Sequence, residues 1–327
     1  MAKLQLSVAM GDYDVTRGLI QGEVVPQGID LVPLTYRSPH RHWRMLVHEE
    51  FDVCEMSLGA FVTLVGRGDD RFVGLPVFPQ RRFRHGYVFV SGAADVDVAA
   101  DLRGRRIGIR NWEVTAGVYL RGILADHHGL PLDSVEWVAQ DASDIDARPP
   151  AGVTLTRVES GQRVTDLCAR GELAGLIYPD IPDEVHEGSG RIRRLFEDPR
   201  AEEERYFQQT GIFPIMHVVV ARREVVAQHP WVCRELMEAF RESKELAMDR
   251  MRDPRTVSLA WFRWLVERER EVLGTDAWDD GVEPNRNVLE TFLRYAYEQG
   301  LTPRQIEVDE LFPDGVLGDP PARIAAG

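Results

Sequence analysis

The chain has 327 residues, of which 44% are hydrophobic, and it carries a formal net charge of −14 at pH 7. This length suits two domains of ordinary size, and the composition is typical of a globular protein that buries substantial cores. So acidic a chain excludes nonspecific nucleic-acid binding, which needs a basic surface, but a local cluster of arginine and histidine side chains still allows a small anionic ligand.

The chain enters its first predicted element soon after its start. Residues 4–9 alternate between apolar and polar side chains, which is typical of a half-buried β-strand. No apolar leader with a cleavage site precedes this strand, and no run of about 18 or more apolar residues occurs in the sequence. We therefore expect a cytoplasmic protein that has no secretory leader and no membrane contact.

The first third of the chain alternates predicted strands with predicted helices. The strands are expected at 4–9, 29–34, 51–56 and 72–77, and the helices at 14–20, 40–49 and 58–66. Ser38 and Pro39 supply an N-cap and a first-turn proline for the second of these helices. Such an alternation predicts a mostly parallel sheet with helices packed against it.

A second alternating stretch follows, and the C-terminal part is helical. Strands are predicted at 87–90, 105–109, 135–139, 154–158, 173–178 and 215–221, with helices at 113–128 and 164–170. Further helices are predicted at 231–252, 258–271 and 287–298, before an irregular, Pro- and Gly-rich tail after Leu311. Strand-like crossings near 82–92 and 210–220 join the two α/β units, which predicts a two-lobed clamshell.

The crossings also predict how the chain is divided between the lobes. We expect residues 1–86 and 218–327 to form one lobe, which includes the C-terminal helices. Residues 87–217 are expected to form a second lobe that is inserted in the first. The ligand cleft then lies between the lobes, and side chains on the crossings are placed to face it.

One histidine lies inside an apolar run at the second crossing. Residues 215–221 form a short, continuous run rich in β-branched side chains, which predicts a buried strand, and Pro214 indicates a bend at its start. A buried imidazole needs a hydrogen-bond partner, a charge or a cavity. His217 is therefore either a satisfied core histidine or part of a site wall, and its place at a crossing favours the site wall.

A basic cluster lies at the first crossing. Arg81, Arg82, Arg84 and His85 directly follow a buried strand, and the chain then returns to the core. A solvated loop is the simpler interpretation of a basic cluster alone, but strand-like alternation directs some of these side chains toward the cleft. We favour Arg82 and His85 as the inward pair, and the sequence leaves open which of the three arginines faces the cleft. Arginine suits a carboxylate because its planar guanidinium binds both oxygens.

Three further polar segments lie where strands end, and in open α/β sheets these ends face the ligand crevice. Their candidate residues are Asp12 and Arg17 after the first strand, Glu55 and Ser57 after the third, and Trp112 and Thr115 near the start of the helix at 113–128. Asp12 and Ser57 equally suit helix caps, and Thr115 suits an ordinary early helical position. Glu55 needs a partner because it follows an apolar strand, and free backbone N–H groups near Thr115 would suit an anion.

Several common catalytic and metal-binding patterns are missing from the sequence. It contains no G-x-S-x-G elbow, no Walker A loop and no H-E-x-x-H motif, and its three cysteines form no C-x-x-C. His40 with His42, and His127 with His128, have spacings that suit a metal, but each pair lies on a predicted helix beside charged residues. We expect these four histidines at the surface, so no metal site is predicted.

Taken together, several segments resemble the 4,5-dihydroxyphthalate decarboxylase family over residues from about 4 to 245. They are Asp12-Tyr13-Asp14, Gly28-Ile29-Asp30-Leu31, Phe51-Asp52-Val53, Glu55-Met56-Ser57 and the stretches 76–85 and 210–217. Residues 100–108 are similar to the stretch that opens the second lobe of two-lobed periplasmic solute-binding proteins, to which that family is related. The resemblance implies an α/β fold of the type II periplasmic-binding-protein-like class, with a mixed, mostly parallel sheet flanked by helices in each lobe.

The resemblance also implies a reaction. It implies cofactor-independent decarboxylation of a hydroxylated aromatic acid, in particular of 4,5-dihydroxyphthalate to 3,4-dihydroxybenzoate and CO2. The expected partner is therefore a small anionic aromatic substrate, and the sequence leaves a homo-oligomer open. The alternative is a solute-binding protein of the same fold that captures a small anion without chemistry, which the missing leader disfavours.

The implied chemistry suggests roles for the candidate residues. The ring carbon that bears the departing carboxylate must accept a proton, and histidine suits the acid because it titrates near neutrality. We expect His217 or His85 as the acid, Arg17 and Arg82 as carboxylate clamps, and Glu55 or Asp12 as the partner of the phenol. The remaining expected substrate contacts are Ser57, Trp112, Thr115 and Phe213.

Overall fold

The computed structural model describes residues 3–275 and 277–312, which form two β-sheets with helices packed against them. The strands are β1 (Leu4–Met10), β2 (Ile29–Thr35), β3 (Val53–Ser57), β4 (Phe72–Leu75), β5 (Val88–Ser91), β6 (Arg106–Ile109), β7 (Glu136–Ala139), β8 (Thr154–Arg157), β9 (Gly175–Ile177), β10 (Ile192–Arg194) and β11 (His217–Arg222). The helices are α1 (Asp14–Ile20), α2 (Ser38–His48), α3 (Leu58–Gly66), α4 (Thr115–His128), α5 (Val164–Ala169), α6 (Asp183–His186), α7 (Pro199–Thr210), α8 (Arg223–Gln228), α9 (Trp231–Arg250), α10 (Phe262–Leu273), α11 (Arg286–Glu298) and α12 (Val308–Leu311).

Both sheets are mixed, as predicted. The first has the strand order β2-β1-β3-β11-β4, in which β1 runs parallel to β2 and β3, and β11 runs antiparallel to β3 and β4. The second has the order β10-β5-β9-β6-β7-β8, in which β9, β6, β7 and β8 are parallel and β5 and β10 are antiparallel to their neighbours. The chain therefore leaves the first sheet after β4, builds the second sheet and returns to the first through β11. This is the α/β two-lobed architecture that the sequence predicts.

The two segments that connect the sheets run side by side. The amide of Met216 donates to the Gln80 carbonyl at 2.9 Å, the amide of Arg82 donates to the Pro214 carbonyl at 3.0 Å, and Arg81 and Ile215 form an antiparallel bridge. Because the amides of residues 216 and 217 both donate to Gln80, the regular strand β11 begins at His217 rather than at residue 215. The division of the chain into lobes at residues 87 and 217 remains a prediction.

One apolar core joins elements of both sheets. Phe61 of α3, Tyr119 of α4 and Phe292 of α11 all belong to it, and the rings of Tyr119 and Phe292 lie 4.9 Å apart. A Cβ on Gly122 would come within 2.5 Å of the Tyr295 ring, so a glycine is needed for α4 and α11 to approach closely. Helix α11 thus packs against both α3 and α4.

The observed helices and strands differ from the predicted ones where a helix cap sets the boundary or where a helix is only weakly amphipathic. Arg37 is the N-cap of α2, so Ser38 is already helical and the predicted serine cap is wrong. Helix α7 and strand β10 were not predicted, and in α7 only Tyr206 is buried. The tail predicted after Leu311 lies, from residue 313 on, outside the described residues. None of the helices in the described ranges is long and apolar enough to cross a membrane.

Candidate active site

A cleft of about 1150 Å³ opens between the two sheets. Its walls come from the loops that follow β1 and β6, from the start of α2, and from the two connecting segments. The polar side chains that line it include Asp12, Tyr13, His42, Ser57, Arg82, Arg84, Asn111, Glu113, Thr115, Asp180 and His217. Several of these residues follow the carboxyl ends of parallel strands, which is where open α/β sheets bind ligands.

A buried ion pair lies directly behind one wall of this cleft. Glu55 on β3 is 1% exposed and Arg41 on α2 is fully buried, and their Oε2 and Nη2 atoms are 2.9 Å apart. Arg41 also donates to the backbone carbonyls of Glu55, at 2.9 Å, and of Tyr36, at 2.5 Å. Two backbone acceptors and one carboxylate therefore hold the guanidinium in a fixed position.

Three other donors saturate the Glu55 carboxylate. The amide of Gly11 donates to Oε2 at 2.7 Å, the Tyr13 hydroxyl donates to Oε1 at 3.1 Å, and Nδ1 of His217 lies 2.5 Å from Oε1. Burial alone would raise the pKa of Glu55, but attraction to Arg41 and His217, with these hydrogen bonds, holds that pKa at about 2. The carboxylate is therefore ionised and unable to act as an acid at neutral pH.

The strand pairing explains why Glu55 and His217 meet. His217 lies opposite Ser57, and Val219 lies opposite Glu55, in the antiparallel pair formed by β3 and β11. Residues two apart on a strand share a face, so His217 and Glu55 are diagonal neighbours on the same face. The contact between Glu55 and His217 is thus a consequence of the register between β3 and β11.

His217 is 8% exposed and forms part of the cleft wall. Burial lowers its pKa, Glu55 opposes that shift, and the positive charges of Arg41 and Arg84 reinforce it. In the ligand-free protein the imidazole is therefore neutral at neutral pH, with Nδ1–H donating to the carboxylate. A carboxylate held against Nδ1 orients the ring and stabilises the imidazolium once a proton arrives.

A second histidine contacts the first, although it was expected at the surface. The rings of His42 and His217 are perpendicular, with centroids 4.7 Å apart, and His42 lines the cleft. Its Nε2 is buried without a hydrogen-bond partner in the described structure. Burial, then the charges of His217 and Arg41, lower its pKa well below the usual range. The surface prediction for His42 is wrong because α2 lies along the cleft rather than on the outside of the sheet.

The facing wall begins where α3 and α4 start side by side. The hydroxyl groups of Ser57 and Thr115 are 2.8 Å apart, and the Thr115 hydroxyl accepts from the amide of Gly59 at 2.9 Å. A Cβ on Gly59 would lie 2.4 Å from the Glu113 carbonyl, so the contact needs a glycine. Both predicted hydroxyl residues thus line the cleft and connect its two walls. An anion site at the first amides of α4 stays a prediction.

The structure resolves the orientation of the basic cluster. Arg82 and Arg84 both line the cleft, whereas Arg81 turns away and donates to the side chain of Asn285 and to the Asp279 carbonyl. Arg82 is exposed and its Nη1 donates to the Tyr87 hydroxyl at 3.1 Å, whereas Arg84 is only 6% exposed. Of these two arginines, Arg84 is the buried one, and the sequence did not single it out.

His85, an expected acid, lies away from the cleft in the described structure. Its ring packs against Phe196, Tyr206 and His128, at centroid distances of 5.6, 5.3 and 5.9 Å, and both ring nitrogens are buried without a hydrogen-bond partner. Burial, together with the neighbouring charges, lowers its pKa to about 3. His85 is therefore a neutral core residue without access to a ligand in the cleft, and the prediction of His85 as an acid is wrong.

Three other expected contacts also lie outside the cleft wall as described. Trp112 is buried, and its Nε1 donates to the Gln299 carbonyl at 2.8 Å. Phe213 packs on Phe83, with ring centroids 4.9 Å apart, and Arg17 pairs with Asp12 at 3.0 Å. Trp112 and Phe213 thus belong to the core, and the pair with Asp12 occupies Arg17 at the surface.

Two polar residues of the facing wall were not selected from the sequence. The Asn111 Oδ1 and Glu113 Oε2 atoms are buried in the described structure without a hydrogen-bond partner, and burial raises the pKa of Glu113. Both flank Trp112 in a segment that the sequence predicts as the start of a helix. A signal was therefore present in the sequence, but nothing in it told which of these neighbours faces inward. Within the described ranges, no group of three or more His, Cys, Asp or Glu side chains is arranged to hold a metal ion.

Comparison with known proteins gives two curated relatives with the same name. The chain is 33% identical over 320 residues to a protein of Comamonas testosteroni named 4,5-dihydroxyphthalate decarboxylase, covering 95% of this chain and 97% of the relative. It is 32% identical over 206 residues to a protein of the same name from Pseudomonas putida, covering 61% of this chain and 80% of the relative. No protein-family model matches the sequence.

A solved structure supports the fold independently. The periplasmic aliphatic sulphonate binding protein of Escherichia coli superposes with a TM-score of 0.53 at 14% identity. The match covers 95% of this chain and 92% of that protein. The likeness at this identity concerns the fold alone, and it places the chain among periplasmic-binding-protein-like structures.

Proposed function

The chain belongs to the 4,5-dihydroxyphthalate decarboxylase family and is a carboxy-lyase, and from this premise we propose that it decarboxylates a hydroxylated aromatic dicarboxylate. The proposed reaction converts 4,5-dihydroxyphthalate to 3,4-dihydroxybenzoate and CO2. The observation that carries the proposal is the histidine in the cleft wall, His217, held against the ionised Glu55. A cleft large enough for an aromatic diacid, with arginines on its wall, fits a substrate of this charge.

The reaction requires a proton at the ring carbon that loses its carboxylate. In the proposed step His217, as the imidazolium, transfers its proton to that carbon and forms the new C–H bond. The bond to the carboxylate then breaks, its electron pair restores the aromatic ring, and CO2 leaves. Electron release from the hydroxyl group para to that carbon assists the protonation.

The ionisation of His217 follows from its surroundings. In the ligand-free protein its pKa lies below the usual value, because burial, Arg41 and Arg84 outweigh the attraction of Glu55. A substrate dianion in the cleft adds negative charge and raises that pKa, so the imidazole gains its proton when substrate is present. In this proposal Glu55 acts through His217 as a positioning residue and does not contact the phenol, since it lies behind the cleft wall.

The phenolic hydroxyl of the substrate needs a hydrogen-bond acceptor on the wall that carries His217. His42 supplies one, because a neutral imidazole keeps one nitrogen lone pair and its Nε2 is unpartnered in the described structure. This replaces the earlier expectation that Glu55 or Asp12 contacts the phenol. Ser57, Thr115 and Arg82 remain proposed substrate contacts, supported by their position on the wall.

The test is incubation of the purified protein with 4,5-dihydroxyphthalate while CO2 and 3,4-dihydroxybenzoate are measured. We expect product from the wild-type protein and from His186→Asn, a control at an exposed histidine on α6, and a decrease in kcat of about 10²- to 10⁴-fold for His217→Asn. Full turnover by His217→Asn contradicts the acid assignment. Tight binding without product by the wild-type protein favours the solute-binding alternative.

Two further expectations belong to this proposal. A cytoplasmic location is tested by fractionation of the native organism's cells, in which activity should accompany cytoplasmic markers. A homo-oligomer is tested by light scattering of the purified protein, which gives its mass in solution directly.

A further inference from the structure

A buried cation of the cleft wall, Arg84, has no carboxylate within ion-pair distance among the described residues. Arg84 is 6% exposed, its Nε lies 3.1 Å from the Met216 sulfur, and its Nη1 donates to the Pro179 carbonyl at 3.3 Å. Its guanidinium carbon lies 4.8 Å from the centre of the Tyr87 ring. A thioether, one carbonyl and an aromatic face hold the group in place but leave its charge uncompensated.

The acidic residues near Arg84 do not neutralise it. Asp180 and Glu203 attract the guanidinium, but no carboxylate oxygen lies within 4.0 Å of it in the described structure. Burial is the main reason why the pKa of Arg84 is lowered, to about 10, and it still carries its charge at neutral pH. The other buried arginines of the described structure, Arg41, Arg81 and Arg121, each have a side-chain carboxylate or amide oxygen as partner.

A charge that is buried without a partner reduces stability, so such a group normally gains its partner from elsewhere. The guanidinium faces a cleft that opens to solvent and is lined on the other side by the start of α4. An anionic group of the substrate is the partner that the cleft can admit. The planar guanidinium binds a carboxylate through two parallel hydrogen bonds.

The substrate of the proposed reaction offers two carboxylates, one that leaves and one that stays. An ion pair to the departing group would stabilise the bound substrate more than the transition state, in which that group is becoming neutral CO2, and would slow the reaction. An ion pair to the retained group has no such cost, because its charge is unchanged. The 4,5-dihydroxyphthalate molecule is symmetric, so anchoring one carboxylate also decides which one departs.

Resting on the proposed function, we infer that Arg84 anchors the carboxylate that the product retains, and thereby selects the other carboxylate for loss. Met216, which contacts Arg84, directly precedes the acid His217, so the anchor and the acid are neighbours on one wall. The ring carbon next to the anchored carboxylate is thereby brought close to the imidazole. Arg84 is a binding and specificity residue in this assignment, and His217 remains the acid.

The test compares ligands that differ in the retained carboxylate, by titration calorimetry on the full-length protein. We expect Arg84→Met to weaken binding of 3,4-dihydroxybenzoate by about ten- to hundredfold, and binding of catechol, which has no carboxylate, by less than about twofold. The KM for 4,5-dihydroxyphthalate should rise in parallel. Because the buried charge disappears, the melting temperature of the ligand-free variant should equal or exceed that of the wild type.

Two arginine variants serve as matched controls. Arg105→Met, at an exposed position before β6, should bind like the wild type, and Arg82→Met removes an exposed charge of the same cleft and should have a clearly smaller effect than Arg84→Met. Arg84→Lys keeps the charge but not the planar guanidinium, so it should also weaken binding of 3,4-dihydroxybenzoate. This variant replaces Arg84→Met in the test if Arg84→Met does not fold.

The outcomes separate this inference from the proposed function. Wild-type affinity of the Arg84 variants for 3,4-dihydroxybenzoate overturns the anchor, whatever their activity. Equal losses for catechol and 3,4-dihydroxybenzoate overturn it too, because they indicate a general change of the cleft. A wild-type protein that releases no CO2, but binds 3,4-dihydroxybenzoate in an Arg84-dependent manner, refutes the decarboxylase proposal and leaves the anchor in place.

Discussion

Replacing Glu55 by glutamine tests the buried network behind the cleft. Glutamine keeps the size of the side chain but removes its charge, so Arg41 loses its counter-ion while remaining fully buried. One amide oxygen cannot accept from Gly11, Tyr13 and His217 together, and the amide nitrogen adds a donor where donors already point. Glu55→Gln therefore removes the ion pair and leaves unsatisfied donors around a buried side chain.

The magnitude follows from the ionisation of Glu55. Its pKa falls from an ordinary 4.5 to about 2 on folding. A shift of this size contributes about 3 kcal/mol to the free energy of unfolding, which agrees with the roughly 3–5 kcal/mol lost when one partner of a buried pair is removed. Because the folded pKa is the lower one, this contribution is fully present above pH 4.5 and is lost as the pH falls through about 2.

Urea denaturation across a pH series measures this contribution. At pH 7 we expect the variant to be about 3 kcal/mol less stable than the wild type. Below pH 4.5 the wild type loses this advantage and the variant does not, so the two unfolding free energies should converge. Glu172→Gln, at an exposed pair with Arg170, is the control and should follow the wild type at every pH.

Two results would refute the reasoning. A stability difference that stays constant between pH 7 and pH 3 shows that the ionised carboxylate is not its source. A double variant with Arg41→Met that is as unstable as the two single losses added together shows that the two residues do not interact. If the network is ionic, the double variant loses less stability than the sum of the two single losses, because neither partner is then left buried alone.

Two further predictions concern the reaction and the cleft. The decline of kcat/KM with rising pH should lie at lower pH than the decline of kcat. The reason is that kcat/KM depends on His217 in the free protein, where burial lowers its pKa, whereas kcat depends on the complex, where the substrate dianion raises that pKa. Coincident declines in a pH–rate series argue against His217 as the acid. Gly59→Ala places a Cβ 2.4 Å from the Glu113 carbonyl, so α3 and α4 must separate. We expect a raised KM and a lower melting temperature for this variant. The control is Gly68→Ala, at a position with open space but a φ of 77°, which should lower the melting temperature without affecting KM.

The sequence predicts the fold well where side-chain periodicity is strong. Helices α1 and α3 lie at the predicted residues, and the apolar runs of both sheets are strands close to where they were expected. Helix α7 was missed because a helix of charged residues with a single buried side chain has almost no apolar periodicity. The start of α2 was predicted too late, because serine is a common N-cap residue but here Arg37 takes the N-cap position and Ser38 is already helical.

The site was predicted in part, because a sequence indicates which residues follow a strand but not which helix covers them. Glu55 and His217 were both selected, yet their contact depends on the register between β3 and β11, which are more than 150 residues apart in the chain. Arg41 and His42 were not selected, since their helix shows a polar face that is equally compatible with solvent. Only the packing of α2 on β3 turns that face toward a buried carboxylate and the cleft.

The basic cluster shows how far strand-like alternation alone determines side-chain orientation. Gln80, Arg82 and Arg84 line the cleft, while Arg81 and His85 point away from it. Up to Arg82 this is the alternation of an extended chain, in which side chains two apart share a side. The alternation does not continue to His85, because Arg84 has a ψ of 0° and residues 85–87 form a 3-10 turn in which the His85 ring is buried. The prediction of Arg82 and His85 as the inward pair therefore fails at this turn, which strand-like alternation does not anticipate.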